Sequence, residues 1–240
     1  MLTKISDNKV ACSFSNRKHG NMSLFYGDIK EALDNRDKFL AELGIDYRNL
    51  VCPRQVHGGN VKLISEEHKG RGSASYDDSL PQTDSLITDV KNLPLAIFTA
   101  DCLSVFLYDS ARPAVAAVHA GWKSTRENIL AKTIELMQKE FGTKVDNLHA
   151  ELGPRIKGCC YEVGNEFRQL FSQNFLFEKY GRLYLDLSEV NKAQLLGLGM
   201  PEGNIYDSGA CTYCNNDSTF SFRKEGVKSG RMMSVIMLRE

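Results

Sequence analysis

The 240-residue sequence lacks net charge: 30 Lys and Arg balance 30 Asp and Glu. No overall field draws such a chain to nucleic acid or to an anionic membrane, so charge composition points to a small-molecule partner. No stretch approaches the roughly 18 consecutive apolar residues needed to span a bilayer, and residues 1–7 show no apolar signal-peptide core. A soluble, cytoplasmic protein is expected. Seven cysteines, an odd number scattered over a long chain, fit reduced thiols in the cytosol rather than a disulfide framework. The glycosylation-type triplets at Asn21 and Asn216 then carry no meaning. No Gly/Ser linker, low-complexity tract or fixed-period repeat divides the chain, so residues 1–240 are expected to form one domain.

What is present reads as a mixed fold. The 42% hydrophobic content suffices for a substantial core. Apolar spacing predicts a helix over Asp34 to Leu43, closed by Gly44, and alternation predicts a strand over Asn60 to Ser65. Leu93 to Thr99 and Ala114 to Val118 read as strands buried on both faces. Ser124-Thr125-Arg126-Glu127 reads as a capping box opening a helix through Ile129, Leu130, Ile134 and Met137 to Gly142. A further helix over Asn191 to Leu198 and a final strand over Met232 to Leu238 complete an α/β (α+β) pattern of sheets covered by helices.

One constellation carries chemistry. Cys102 and His119 end two strands joined by a turn-rich segment from Tyr108 to Pro113. A hairpin centred between Ser110 and Ala111 would set the two directly opposite, with Cβ atoms about 4.5 to 5.5 Å apart, close enough to share a metal ion. Asp101 precedes the cysteine, and Ala120-Gly121 follows the histidine and permits close approach. Among the other histidines, His57, in Arg54-Gln55-Val56-His57-Gly58-Gly59, has the most site-like setting; His19, His68 and His149 read as solvated surface residues. Two imidazoles and one thiolate suit Zn²⁺ with a fourth position open, as in catalytic zinc sites. Such an ion is a Lewis acid that activates water, and Asp101 could shuttle the proton. The bland competing reading is a Cys and a His that merely pack in a buried hairpin.

Other motifs are weaker. Cys211-Thr212-Tyr213-Cys214 is a CxxC without a second CxxC or HxxxH, and adjacent Cys159-Cys160 reads as packing or cleft lining. Gly197, Gly199 and Gly203 do not have dinucleotide-fingerprint spacing. Arg223-Lys224, Arg231 and the Asn16-to-Gly20 segment could bind an anion or form a solvated face.

The segments Thr83-Asp84-Ser85-Leu86-Ile87-Thr88-Asp89, Thr99-Ala100-Asp101-Cys102, Val118-His119-Ala120-Gly121-Trp122, and Leu152-Gly153-Pro154-Arg155-Ile156 with Cys159-Cys160-Tyr161-Glu162-Val163 occur in this order. They resemble the YfiH-like family, also called laccase-domain or multicopper polyphenol oxidase proteins and, more recently, purine nucleoside phosphorylases. The likeness runs from about residue 12 to the C-terminus. The resemblance implies a layered α/β/β/α fold and a zinc ion held by His57, Cys102 and His119. It also implies phosphorolysis of adenosine, inosine, guanosine and methylthioadenosine, adenosine deamination as a second reaction and, in some bacterial members, peptidoglycan editing.

Joined to the chemistry, the resemblance makes Arg17, Arg54 and Arg223 candidates for the phosphate, and Asp101, Cys102 and His119 the expected catalytic set. The family usually has a second arginine where Lys224 stands, and a Thr-Arg-x-Gly-Gly pattern where Asn16-Arg17-Lys18-His19-Gly20 stands. Because lysine lacks the bidentate fork, phosphate affinity could differ here. Five histidines are too few for a multicopper centre, although copper would bind the same three ligands adventitiously. The zinc-deaminase signature HxE…PCxxC is absent, so deamination would need a different acid/base group. Two further readings stand beside the phosphorylase. Cys102 with His119 as base could hydrolyse amides of peptidoglycan precursors, or the chain could be a non-enzymatic, zinc-stabilised binding module.

Overall fold

The computed structural model describes residues 3–5 and 8–240; part of the N-terminal segment read for a targeting signal, residues 1–2 and 6–7, lies outside them. In chain order the elements are β1 (Val10–Phe14), α1 (Ile29–Ala41), β2 (Val61–Leu63), β3 (Ser85–Thr88), β4 (Leu95–Thr99), β5 (Leu103–Asp109) and β6 (Ala114–Ala120). Then follow α2 (Trp122–Arg126), α3 (Ile129–Phe141), β7 (Leu148–Leu152), β8 (Glu162–Val163), α4 (Phe167–Leu170), β9 (Leu176–Lys179) and β10 (Arg182–Leu185). The chain ends with α5 (Leu187–Gly197), β11 (Ile205–Asp207), α6 (Phe222–Glu225) and β12 (Met232–Leu238). Among the described residues, no helix is long and apolar enough to cross a membrane.

Two sheets stack face to face. One has three strands in the order β1-β12-β4, the other six in the order β11-β7-β5-β6-β3-β2, and a small third sheet, β8-β10-β9, lies apart from both. Strand alternation decides what each face meets. Val10, Cys12 and Phe14 of β1 and Ile97 of β4 pack against Leu86, Phe106, Tyr108, Val115 and Ala117 of the larger sheet. Phe14 and Phe106 stack there with centroids 4.8 Å apart. The intervening residues Ala11 and Ala96 turn outward to Phe39 and Leu40 of α1. Ile87, Val105, Leu107, Ala116 and Val118 face the opposite way, onto Ile129, Leu130, Ile134 and Met137 of α3 and Leu195 of α5. The result is the layered α/β/β/α arrangement expected from the resemblance.

Several boundaries differ from the sequence reading, each for a local reason. Helix α1 starts at Ile29, because Asp28 caps it by accepting the Glu31 N–H; Gly44, with φ 70°, follows its end as expected. The helix expected from Asn191 likewise begins earlier, behind Asp186, whose carboxylate accepts the Ser188 and Glu189 N–H groups. The Ser124 capping box does not form. Gly121 lets the chain turn directly into α2, so Ser124 and Thr125 lie inside that helix, and α3 starts behind Asn128, which sits at φ 57°.

The hairpin register also differs. Asp109 stays in β5, paired with Ala114, and its carboxylate accepts the N–H groups of Ala111 and Arg112 across the turn. This places Ser104, rather than Cys102, opposite His119. A shift of two residues preserves the face, so Cys102 still lies on the same side of the sheet as His119, just beyond the last rung.

Candidate active site

The site forms where the chain leaves β4 of the β1-β12-β4 sheet and enters β5 of the six-stranded one. Residues 100–102 make that crossing, with Asp101 held at φ 92°, an unfavourable conformation for any residue with a side chain. Three bonds hold it: Thr212 Oγ1 donates to Asp101 Oδ1 at 2.6 Å, the Arg223 N–H donates to Oδ2 at 2.6 Å, and the Ile156 N–H donates to the Asp101 carbonyl at 2.9 Å. The face that looks between the sheets carries Phe106, Ser104 and Cys102 in turn, and on β6 Val115, Ala117 and His119. Parity thus brings the cysteine and histidine together at the open end of the inter-sheet layer.

His57 arrives from a loop and also has a positive φ, 61°. Buried Asp84, just ahead of β3, organises that loop. Its Oδ1 accepts the His57 N–H at 2.9 Å, and its Oδ2 accepts those of Val56 at 3.1 Å and Gly58 at 2.9 Å. Asp84 Oδ1 also lies 2.7 Å from His119 Nδ1, leaving Nε2 as the ring nitrogen available to a metal. His57, Cys102 and His119 offer ligand atoms that all lie within 4.8 Å of one another. Gly121 makes room for this packing, since a Cβ there would stand 3.1 Å from His57 Cδ2 and 3.2 Å from Cys102 Sγ.

The trio is electrostatically coupled. Burial pushes the Cys102 thiol up, but the charge and hydrogen bond of His119, with help from His57, outweigh it and bring the thiol down to about 6. Burial pushes His119 down, while Cys102 and the Asp84 carboxylate raise it to about 9. Asp84 is pushed up by burial but held below the ordinary carboxylate range by His119 and the Gly58 and Val56 N–H groups. One thiolate and two imidazoles, one of them oriented by a buried carboxylate, make a donor set that fits a borderline-soft divalent ion.

The trio sits in a cleft of about 520 Å³. Phe25, Tyr26, Tyr76, Phe98, Tyr161 and Phe222 supply aromatic walls. Three arginines line it: Arg223 over the Tyr161 ring, Arg231 over those of Tyr26 and Phe222, and buried Arg36, whose guanidinium is committed to the carbonyls of Met22, Gly72 and Ser73. Asp101 lines the cleft as well.

The other arginines are placed differently. Arg54 lies over Tyr76 and donates to the carbonyls of Tyr76 and Asp77, beside the cleft rather than in its lining. Arg17 is outside it, bonded to the carbonyls of Asn216 and Thr219 and paired with Glu225 at 2.8 Å. Lys224 is also outside, its ammonium over the Tyr213 ring, so the departure from a second arginine does not touch the cleft lining.

The remaining histidines are half-buried rather than solvated. His19 accepts the Asn16 N–H and packs on Phe39, His68 accepts the Ser65 N–H, and His149 stacks on Tyr206. Among the described residues, none of them joins a metal-competent group. Cys159 and Cys160, read from the sequence as packing or cleft lining, gather with Cys211 and Cys214. Sequence reasoning assigned no role to Asp84; its one signal was an acid immediately preceding an apolar strand of matching parity.

Fold and site define a layered α/β protein with a three-ligand candidate metal centre on the floor of a cleft sized for a small molecule. Within that class the chain belongs to the laccase-domain, YfiH-like family: the family described as "Multi-copper polyphenol oxidoreductase laccase" matches residues 5–239. A Bacteroides thetaiotaomicron protein named "Purine nucleoside phosphorylase" is 35% identical over 98% of this chain and 91% of its own. A protein from an unknown prokaryotic organism named "Adenosine deaminase RL5" is 34% identical over 87% of this chain and 82% of its own. The crystal structure of Bacillus licheniformis YfiH superimposes with a TM-score of 0.91 at 31% identity, covering 96% of this chain and 93% of that one.

Proposed function

We propose that the chain is a zinc-dependent purine nucleoside phosphorylase with adenosine deaminase side activity, a cytoplasmic enzyme of one domain acting on a nucleoside and phosphate. The observation that carries this reading is the open His57–Cys102–His119 set at the floor of an aromatic-walled cleft whose lining includes Arg223 and Arg231. The names of the relatives supply the reaction class. Zinc suits the donors and an open three-ligand set; copper suits the same donors, and metal analysis separates the two. When bound, the ion supplies a Lewis acid beside the substrate.

The protein's own groups divide the remaining work. Aromatic walls stack on the planar base and exclude water. Arg223 and Arg231 hold the phosphate by charge-assisted hydrogen bonds, with Arg54 at the rim; Arg17, already paired with Glu225, is left out. In phosphorolysis a phosphate oxygen bonds to C1′ as the bond from C1′ to the purine nitrogen breaks, and the purine leaves with that electron pair and takes a proton. In deamination, water adds at C6, ammonia leaves, and the proton of the water needs an acceptor. Asp101 suits that role, because each of its oxygens accepts a single protein hydrogen bond and keeps a lone pair.

A second reading draws on Cys102, His119 and Asp84, which match a nucleophile, base and orienting carboxylate, as in an amidase of peptidoglycan precursors. His57, at ligand distance from both other residues, is surplus to that scheme and favours the metal. A purely structural role for this ion is disfavoured because structural zinc takes four protein ligands.

The test is product analysis of adenosine with phosphate, using metal-quantified wild type, a chelated sample and Cys102→Ala. Adenine and ribose 1-phosphate from the loaded wild type alone are expected. Inosine alone would make the chain a deaminase. Neither product from zinc-loaded protein overturns the reading, and amide hydrolysis that survives chelation but not Cys102 alkylation would establish the amidase.

A further inference from the structure

Two motifs set aside in the sequence meet in the structure. Cys159-Cys160 lies in the turn after Gly158, and Cys211-Thr212-Tyr213-Cys214 opens the long connection between β11 and α6, yet all four sulfurs lie within 4.8 Å of one another. Cys160 Sγ is 3.3 Å from Cys214 Sγ, and Cys159 Sγ is 3.8 Å from it. Four thiolates around a tetrahedral zinc ion, each at about 2.3 Å, stand about 3.8 Å apart. The CxxC that lacked a partner in sequence thus finds one in a pair of adjacent cysteines some fifty residues away.

Packing does not explain this gathering. Cys159 and Cys214 are exposed and Cys160 half-exposed, whereas cysteines that act as small apolar residues are buried. Cys211 is the buried member of the group. The connection over 208–221 has no helix or strand beyond one isolated bridge, Arg155 with Cys211.

We propose that Cys159, Cys160, Cys211 and Cys214 hold a second, structural zinc ion, separate from the His57–Cys102–His119 centre. Four protein ligands close the coordination sphere, the arrangement of structural rather than catalytic zinc. Binding displaces the thiol protons and joins two loops that flank the cleft. Thr212, inside the CxxC, donates to Asp101, and Tyr161, next to Cys160, lines the cleft wall and carries Arg223 over its ring. The ion therefore fixes the geometry of that wall without touching substrate. This inference does not depend on which reaction the cleft performs.

The deciding experiment measures bound metal and cobalt spectra on the full chain, purified with zinc under reducing conditions. Wild type is expected to carry two zinc ions per chain, Cys214→Ser one, and Cys102→Ser one. Cobalt in the Cys102→Ser protein should give the intense sulfur-to-cobalt charge-transfer bands of four thiolates. A metal-free Cys102→Ser protein, a weak spectrum without those bands, or a mass 2 Da low that reports a disulfide within the cluster overturns the proposal. Should Cys214→Ser fail to fold, the Cys102→Ser measurement decides alone.

Discussion

Asp84 joins two ligand segments with one carboxylate: its Oδ1 lies 2.7 Å from His119 Nδ1 and accepts the His57 N–H at 2.9 Å. The same group therefore sets the ring orientation of one histidine and the strained backbone of the other. Replacing it by Asn keeps the shape but removes the charge that favours His119 as a ligand. We expect Asp84→Asn to weaken metal binding at the trio about 10- to 100-fold, the usual cost of losing a carboxylate behind a ligating histidine. Competition with a chromophoric chelator reads this directly, and an unchanged affinity would show that Asp84 is only a structural clamp.

Gly121→Ala tests the close approach from the other side. The added Cβ would press on His57 Cδ2 and Cys102 Sγ at 3.1 and 3.2 Å, so at least one ligand must shift by a few tenths of an ångström. Metal affinity is expected to fall about tenfold, with the unfolding midpoint little changed, because Gly121 has extended backbone geometry that alanine also adopts. A large stability loss with unaltered metal binding would contradict this account.

Much of this was legible in the sequence because strand and parity signals are local. Leu93 to Thr99, Ala114 to Val118 and Met232 to Leu238 each overlap an observed strand, and parity survived the two-residue register error, so Cys102 and His119 were paired for a partly wrong reason. Asp84 and the four-cysteine cluster were hidden because their meaning depends on contacts across 26 to 55 residues of chain. The placement of Arg17 was hidden in the same way, since its partners Asn216, Thr219 and Glu225 come from the far end of the sequence.

The two arginines Arg223 and Arg17 should separate cleanly in kinetics. Arg223 lines the cleft, so Arg223→Lys, which keeps the charge but loses the planar fork, is expected to raise KM for phosphate about tenfold or more while KM for adenosine changes less. Arg17→Ala, outside the cleft, should instead lower the unfolding midpoint and leave both KM values near wild type. Reversal of these two patterns would relocate the phosphate site toward the N-terminal loop.

Asp207 and Arg155 give the pH dependence of stability a definite sign. Arg155 is fully buried, and its guanidinium reaches both oxygens of Asp207 as well as the Gly153 carbonyl. Burial pushes the Asp207 carboxyl up, but Arg155 and the Gly209 N–H outweigh it and hold the group below its ordinary value. A carboxyl with a depressed folded-state pKa stabilises the fold above its unfolded pKa of about 4, and that contribution is lost as pH falls through the lower folded value. Removing the partner of a buried charge typically costs about 3 to 5 kcal/mol. Because the Asp207 side chain is 35% exposed and water screens it, we expect Asp207→Asn to cost about 2 to 3 kcal/mol at pH 7. Urea unfolding at pH 7, 5, 4 and 3 should show the wild type losing more stability than Asp207→Asn over the acid range, so that the two curves converge. Parallel curves would mean that the pair contributes the same in both charge states and that acid sensitivity resides elsewhere in the fold.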